Sequence, residues 1–250
     1  MTSVSLKPIL ENKSMLLELQ DITVGYYQDI MVLQDVTLCA REEMITTIIG
    51  PNGAGKSTVL KTVFGFLNPM KGRVMLGQKN ISGRKPFTLP QEGITFIMQE
   101  RGIFPFLTVE ENLDLGAWLF RGDRVRVRQG IESVFDKYPN LRQRRQVHAG
   151  NLSGGEQRML EIGKALMINP SIILFDEPTA GLAPIVSNLI FEEVDKLRQD
   201  RRTILMVEQN VKKAMGITDH VYVLELGRVT FEGPSHAIDL REAVAPWINW

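Results

Sequence analysis

The chain has 250 residues, 44% hydrophobic and 23% charged, a composition that excludes disordered, collagen-like and coiled-coil classes and leaves one large domain or two small ones. Lys plus Arg and Asp plus Glu number 29 each, so the formal charge is zero, which argues against a global electrostatic footprint for nucleic acid or anionic lipid. A single cysteine, Cys39, excludes an internal disulfide framework and any Cys-rich zinc or iron–sulfur site, three scattered histidines leave little for a His-based metal site, and a reducing compartment fits best.

Residues 1–14 show no sustained hydrophobic period and are expected to form a mobile tail. Lys7, Pro8, Glu11 and Lys13 also break any apolar stretch that could serve as an export signal. Order is expected from Met15, with two short strands around Leu17 to Val24 and Val32 to Leu38 separated by the turn-rich Gly25-Tyr26-Tyr27-Gln28-Asp29. Met44 to Ile49 is a β-branched run of the kind buried on both faces of a sheet, and it feeds a glycine-rich turn followed by a helix over Thr58 to Phe66.

Thr108 with Glu111 makes a capping box that opens a helix through about Phe120, and a second helix is expected from Asp123 to Lys137, stopping before Pro139. Leu141 to Gly150 is basic and polar, with Arg142, Arg144 and Arg145 read as a solvated face. Ser153 with Glu156 opens a third helix to about Met167. Strand-like Ile172 to Phe175 and Thr203 to Val207 flank a helix from about Ile185 to Gln199, a βαβ unit that implies a parallel sheet. Val221 to Leu224 and Arg228 to Phe231 read as a hairpin around Gly227, with His220 at a strand edge. Neither apolar stretch, Met44 to Ile49 or Ile172 to Phe175, approaches the roughly 20 residues of a membrane span.

Three segments carry chemistry. Gly50-Pro51-Asn52-Gly53-Ala54-Gly55-Lys56-Ser57 matches the phosphate-binding loop G-x-x-x-x-G-K-[ST], with Thr58 beginning the helix behind it. Its glycines let backbone N–H groups turn toward a triphosphate, Lys56 neutralises β- and γ-oxygens, and Ser57 is a candidate ligand for Mg2+. Ile172 to Pro178 places Asp176 and Glu177 at the carboxyl end of a buried strand, Asp176 as the expected Mg2+ partner and Glu177 as the group that polarises the attacking water. Leu152-Ser153-Gly154-Gly155-Glu156-Gln157 is a helix cap whose paired glycines expose backbone N–H groups, a second phosphate-binding surface.

These three segments in this order resemble the ATP-binding subunit of an ABC transporter, over about residues 15–235. The resemblance implies an α/β fold: a P-loop NTPase core with a parallel sheet, a β-rich N-terminal edge and a helical subdomain inserted at about residues 100–168, all within one ABC ATPase domain over 15–250. It implies ATP and Mg2+, and a head-to-tail dimer in which Ser153, Gly154, Gly155, Glu156 and Gln157 of one chain face the nucleotide on the phosphate loop of the other. Gln99 stands where the family's Q-loop glutamine touches Mg2+ and the water, and Tyr26 matches the aromatic that stacks on adenine, with Tyr27 beside it as an alternative. Ile103 to Asn112 resembles the segment that receives a coupling helix from a membrane permease, although buried packing would also account for Phe104 and Phe106.

Two positions depart from the family pattern. Gln209 stands where a histidine usually contacts the γ-phosphate, and Ala183 where an aspartate is usual. Both forms resemble one subgroup, the smaller ATPase of uptake systems for branched-chain and other hydrophobic amino acids, with relatives for urea and amides. That resemblance implies a second, non-identical ATPase as partner, membrane permeases, a periplasmic substrate-binding protein acting indirectly, no nucleic acid, and a peripheral place at the cytoplasmic face of the inner membrane. A soluble ABC ATPase that moves no solute is the competing class. A phosphate-loop kinase or GTPase would leave Ser153-Gly154-Gly155 unexplained.

Overall fold

The computed structural model describes residues 14–27, 30–100 and 102–239. Of the expected tail, all but Ser14 lies outside the described residues. Strand β1, Met15–Tyr27, pairs antiparallel with β2, Ile30–Arg41, through Leu19 opposite Leu38 and Ile22 opposite Val36. Pairing persists to Tyr27 opposite Ile30, so less of the chain is given to the turn than the sequence suggests. The β1–β2 pair is irregular at Asp21 and Asp35, which have φ of 51° and 50°, and the amides there donate to Thr37 and Thr23 across the hairpin.

Strand β3, Ile45–Ile49, is buried at every position, as its β-branched composition predicts. Helix α1, Lys56–Val63, starts two residues earlier than expected because Gly55, at φ 101°, turns the chain directly into it. The segment between residues 64 and 100 gives weak sequence signals. It holds β4, Lys71–Leu76, β5, Lys79–Asn80, a 3-10 turn over Pro86–Glu92, and β6, Ile94–Ile97. β4 joins β1 and closes a four-stranded antiparallel sheet of order β2-β1-β4-β5.

Both capping boxes form, so α2, Val109–Gly116, and α5, Gly154–Leu166, begin where Thr108 and Ser153 place them. α2 is shorter than expected: Gly116 packs so tightly that a Cβ there would lie 2.5 Å from Lys164 O, and a 3-10 turn over Trp118–Phe120 follows. Asp123 caps α3, Arg124–Lys137. The polar stretch after it contains a short α4, Pro139–Gln143, and its arginines are not merely solvated. Arg142 pairs with Asp136, Arg144 with Glu156, and Arg145 with Glu110 and Glu132.

β7, Ile172–Asp176, α6, Pro184–Gln199, and β8, Thr203–Val207, form the expected βαβ unit. A short α7, Val211–Ala214, precedes the hairpin of β9, His220–Glu225, and β10, Arg228–Pro234. The second sheet runs β10-β9-β3-β8-β7-β6 and is parallel except at β10. Alternation along β7 feeds two cores. Ile173 and Phe175 pack with Leu113, Phe135 and Leu160 of the helices, while Ile172 and Leu174 pack with Leu17, Leu19 and Ile22 of the antiparallel sheet. The parallel sheet is thus covered on both faces, and the loops after β3 and β7 emerge at its carboxyl edge, where ligands of such sheets bind.

Candidate active site

The loop after β3 is shaped by close approach. A Cβ on Gly50 would stand 2.0 Å from Leu224 O, so only glycine lets the loop leave the sheet here. α1 then opens with no side-chain cap and no acid in its first turn, leaving its first N–H groups for an incoming anion. Gly53 has no heavy atom within 4 Å of its Cβ position, so this side of the loop is open. Lys56 is 5% exposed, and its Nζ donates to Gly50 O and Pro51 O, each at 2.9 Å. Burial pulls the Lys56 ammonium down from its ordinary value, while the carboxylates of Glu177, Asp176 and Glu208 push it back up. A cationic, anion-accepting cradle of this kind suits a nucleotide triphosphate.

Across the cradle, Ser57 Oγ donates to Asp176 Oδ1 at 2.8 Å. A hydroxyl and a carboxylate held this close are the hard oxygen donors that Mg2+ takes from protein in phosphate sites, so the residues present fit that ion. Burial raises the Asp176 carboxyl, with the Ser57 hydrogen bond opposing.

Glu177 follows directly at φ 48°, a left-handed conformation uncommon for a side chain of its size, and is buried. Its amide donates to Val207 O at 2.9 Å, which ties it to the neighbouring strand. Two glutamine amides hold its carboxylate: Gln209 Nε2 donates to Oε1 at 2.6 Å, and Gln99 Nε2 to Oε2 at 3.1 Å. The structure therefore brings Gln99, Glu177 and Gln209 together. The hairpin that carries Tyr26 reaches the loop through Leu33, whose Cδ2 lies 2.7 Å from the Cβ position of Gly55. Tyr26 itself is 49% exposed, and the side chain of Tyr27 lies outside the described residues.

In the third segment, side chains are spent on the fold. Ser153 and Glu156 cap each other, Glu156 also meets Arg144 at 2.9 Å, and buried Gln157 donates to Ala149 O at 3.1 Å. Gly154 and Gly155 stand half-buried at this helix start.

A family model described as ABC transporter matches residues 33–180. The chain is 40% identical over 213 residues to the probable branched-chain amino acid transport ATP-binding protein LivF of Archaeoglobus fulgidus, covering 85% of this chain and 89% of that protein. The chain belongs to the ABC transporter family of ATP-binding subunits. It is also 39% identical over 213 residues to the high-affinity branched-chain amino acid transport ATP-binding protein BraG of Pseudomonas aeruginosa, covering 85% and 91% of the two. An ATP-binding cassette of an ABC transporter, solved in its ADP conformation, superposes with a TM-score of 0.84 at 31% identity over 95% of this chain and 100% of that one. This chain is accordingly a nucleotide-binding ABC ATPase.

The cassette contains further residues that no motif signalled. Arg158 and Glu161 of α5 form a buried pair at 2.6 Å. Arg158 donates to Met98 O and Gln99 O at 3.0 and 3.3 Å, and Glu161 accepts the Gly102 amide at 2.5 Å. The segment bearing Gln99 is thereby fastened to the helix that opens at Ser153. Fully buried Asn112 accepts from Phe104 N and donates to Phe104 O and Thr108 O. It braces a loop that leaves Phe104 51% and Phe106 89% exposed, so the buried-packing account of these two rings does not hold. Lys164, whose Nζ stands 4.8 Å over the Phe104 ring, also lines an apolar groove of about 400 Å³ with Phe87, Phe96, Met98, Leu115 and Trp118. An i,i+3 pair such as Arg158–Glu161 is equally usual on a solvated helix face, so the sequence carries no signal that sets this buried pair apart. Among the described residues no helix is long and apolar enough to cross a membrane.

Proposed function

We propose that this chain binds ATP with Mg2+ and hydrolyses it to drive uptake of branched-chain or other hydrophobic, neutral amino acids through a membrane permease. The observation that carries the catalytic part is the line of Ser57, Asp176 and Glu177 along one edge of the cradle, with Glu177 held between Gln99 and Gln209. Gly50 to Thr58 wrap the phosphates, and Lys56 exchanges loop carbonyls for phosphate oxygens. Ser57 and Asp176, with Gln99, would hold Mg2+, which when bound supplies charge neutralisation on the β- and γ-phosphates. Glu177 accepts the proton of the attacking water as its oxygen bonds to the γ-phosphorus and the bond to ADP breaks. Tyr26 stacks on the base.

The described parts of residues 15–250 act as one ATPase domain, with the helices between about residues 100 and 168 as its helical subdomain. Ser153 to Gln157 complete the site of a second, non-identical ATPase, and that partner returns the same service. In this reading the permease docks at the apolar groove lined by Trp118, with Phe104 against its Lys164, and the chain works peripherally at the cytoplasmic face of the inner membrane. A periplasmic binding protein would deliver solute to the permease. The amino-acid reading is supported by the names of the LivF and BraG relatives.

The test is reconstitution of this chain with its permeases and second ATPase in liposomes, measuring ATP-dependent uptake of leucine against urea. Leucine uptake that Lys56→Ala abolishes, together with ATP binding, is the expected result. Urea uptake instead would reassign the substrate, and unaltered ATP affinity in Lys56→Ala would overturn the site.

A further inference from the structure

Glu208 is 2% exposed, sits one residue past β8, and belongs to none of the three segments that carry the chemistry. It nevertheless lines the same cleft as Glu177 and Gln209, a space of about 340 Å³. Its Oε1 accepts from Thr179 Oγ1 at 2.7 Å and from the Asn210 amide at 3.2 Å. Thr179 lies two residues after Glu177, and Asn210 directly follows Gln209. One carboxyl oxygen therefore ties together the two turns whose side chains meet at the Gln209–Glu177 contact.

Each turn closes on itself, Ala180 N donating to Glu177 O at 3.0 Å and Val211 N to Gln209 O at 2.9 Å, but these local bonds do not join one turn to the other. Glu177 has the uncommon φ of 48° and is joined to the neighbouring strand by one amide bond to Val207 O, while the Glu208 amide reaches Ile48 O only at 3.4 Å. A left-handed backbone at a bulky residue persists only where the surroundings enforce it. The Glu208 tie adds to that enforcement from the turn that follows β8.

We propose that Glu208 is a positioning residue for Glu177: by bridging Thr179 and Asn210 it sets the turn that aims the Glu177 carboxylate and the distance at which Gln209 meets it. The proposal rests on the reading of Glu177 as the group that accepts the proton of the attacking water. Glu208 itself touches neither nucleotide loop nor water in this scheme; it works through the turn. Its second oxygen, Oε2, is buried and has no hydrogen-bond partner. An unpaired buried oxygen disfavours the ionised form, and burial does raise the carboxyl. A neutral amide is therefore a close substitute: glutamine keeps the accepting oxygen and the shape.

The test compares Glu208→Ala, Glu208→Gln and Thr179→Val in the full chain. Glu208→Ala and Thr179→Val should each lower kcat by about 10- to 100-fold with ATP KM nearly unchanged, since a displaced base costs turnover and not nucleotide affinity. Glu208→Gln should restore most of the turnover, and the double variant Glu208→Ala with Thr179→Val should lose no more than either alone. A readout independent of turnover is amide hydrogen exchange without nucleotide: residues 177–180 and 209–210 should lose protection in Glu208→Ala and keep it in Glu208→Gln. Wild-type kcat in Glu208→Ala, equal loss in Glu208→Gln and Glu208→Ala, or additive losses would each overturn the proposal. Should Glu208→Ala fail to fold, Thr179→Val with its exchange pattern decides alone. Failure of the underlying reading looks different, because Glu177→Gln would then retain wild-type turnover.

Discussion

The amide of Gln209 donates to Glu177 Oε1 at 2.6 Å, so the residue in the family's histidine position holds the Glu177 carboxylate. With Gln99 on the other oxygen, the carboxylate is gripped by two donors and has both lone-pair edges oriented before any water arrives.

Glu177→Gln should therefore do two things at once. It removes the proton acceptor, and it turns one of the two glutamine contacts into a donor facing a donor. Turnover should fall about 100-fold or more while ATP affinity holds. Single-turnover hydrolysis and sedimentation in ATP check this, the expected sign being an ATP-bound dimer that persists.

A glutamine cannot titrate near neutral pH, whereas histidine does so near 6.5. The pH–rate profile of this chain's site should accordingly lack an inflection between about pH 6 and 7, and Gln209→His should introduce one. Steady-state ATPase rates from pH 5.5 to 8.5 in wild type and variant are the measurement. A wild-type inflection that survives Gln209→Ala would place the titrating group elsewhere.

Burial raises the Glu208 carboxyl above its ordinary value of 4.5. A carboxyl raised by folding is protonated more in the folded chain than in the unfolded one, so its contribution to stability is complete below the ordinary value and is lost as pH rises through the folded one. The neutral Glu208→Gln chain escapes that loss. Asp176 shifts the same way but is common to both proteins. The unfolding free energy of Glu208→Gln minus wild type should thus grow from pH 4.5 upward. Urea unfolding at several pH values reads it directly, and a flat difference would show that Glu208 is ionised in the folded chain without cost.

Gly155 meets α6 at a distance that leaves room for hydrogen alone: a Cβ would stand 2.7 Å from Val186 Cγ1. In an unobstructed helix, alanine for glycine gains about 1 kcal/mol. Here overpacking should dominate, and Gly155→Ala should destabilise by about 1–3 kcal/mol. Adding Val186→Ala removes the obstructing methyl and should reverse the sign. Thermal or urea denaturation of the two single variants and the double variant gives the coupling.

Much of this was readable from residue order. β3, β7 and β8 were legible because each is a short β-branched run buried on both faces, and α2, α3 and α5 because Thr108, Asp123 and Ser153 mark their starts. β4 was not, since Lys71, Gly72 and Arg73 lie exposed and the strand is defined by its partner β1 more than by its own pattern. The same division holds at the site. Gly50 to Ser57, Asp176 and Glu177 carry a local signature, whereas the grip of Gln209 on Glu177 joins residues 32 positions apart and depends on β7 and β8 being neighbours. Arg158, Glu161 and Asn112 were hidden for a further reason: each is a polar residue buried by partners that only the folded chain supplies.

α5 opens at its Ser153 cap with Gly154 and Gly155 and, along its length, holds Met98, Gln99 and Gly102 through Arg158, Glu161 and Lys164. Met98 also lines the groove beside Trp118. A helix is stiff along its axis, so an axial displacement of α5 at the groove would be carried to its Ser153 end. In a dimer where Ser153 faces the opposite nucleotide, one displacement is felt in two reaction centres together: through Gln99 in the chain that moved, and through the glycine-tipped end in its companion.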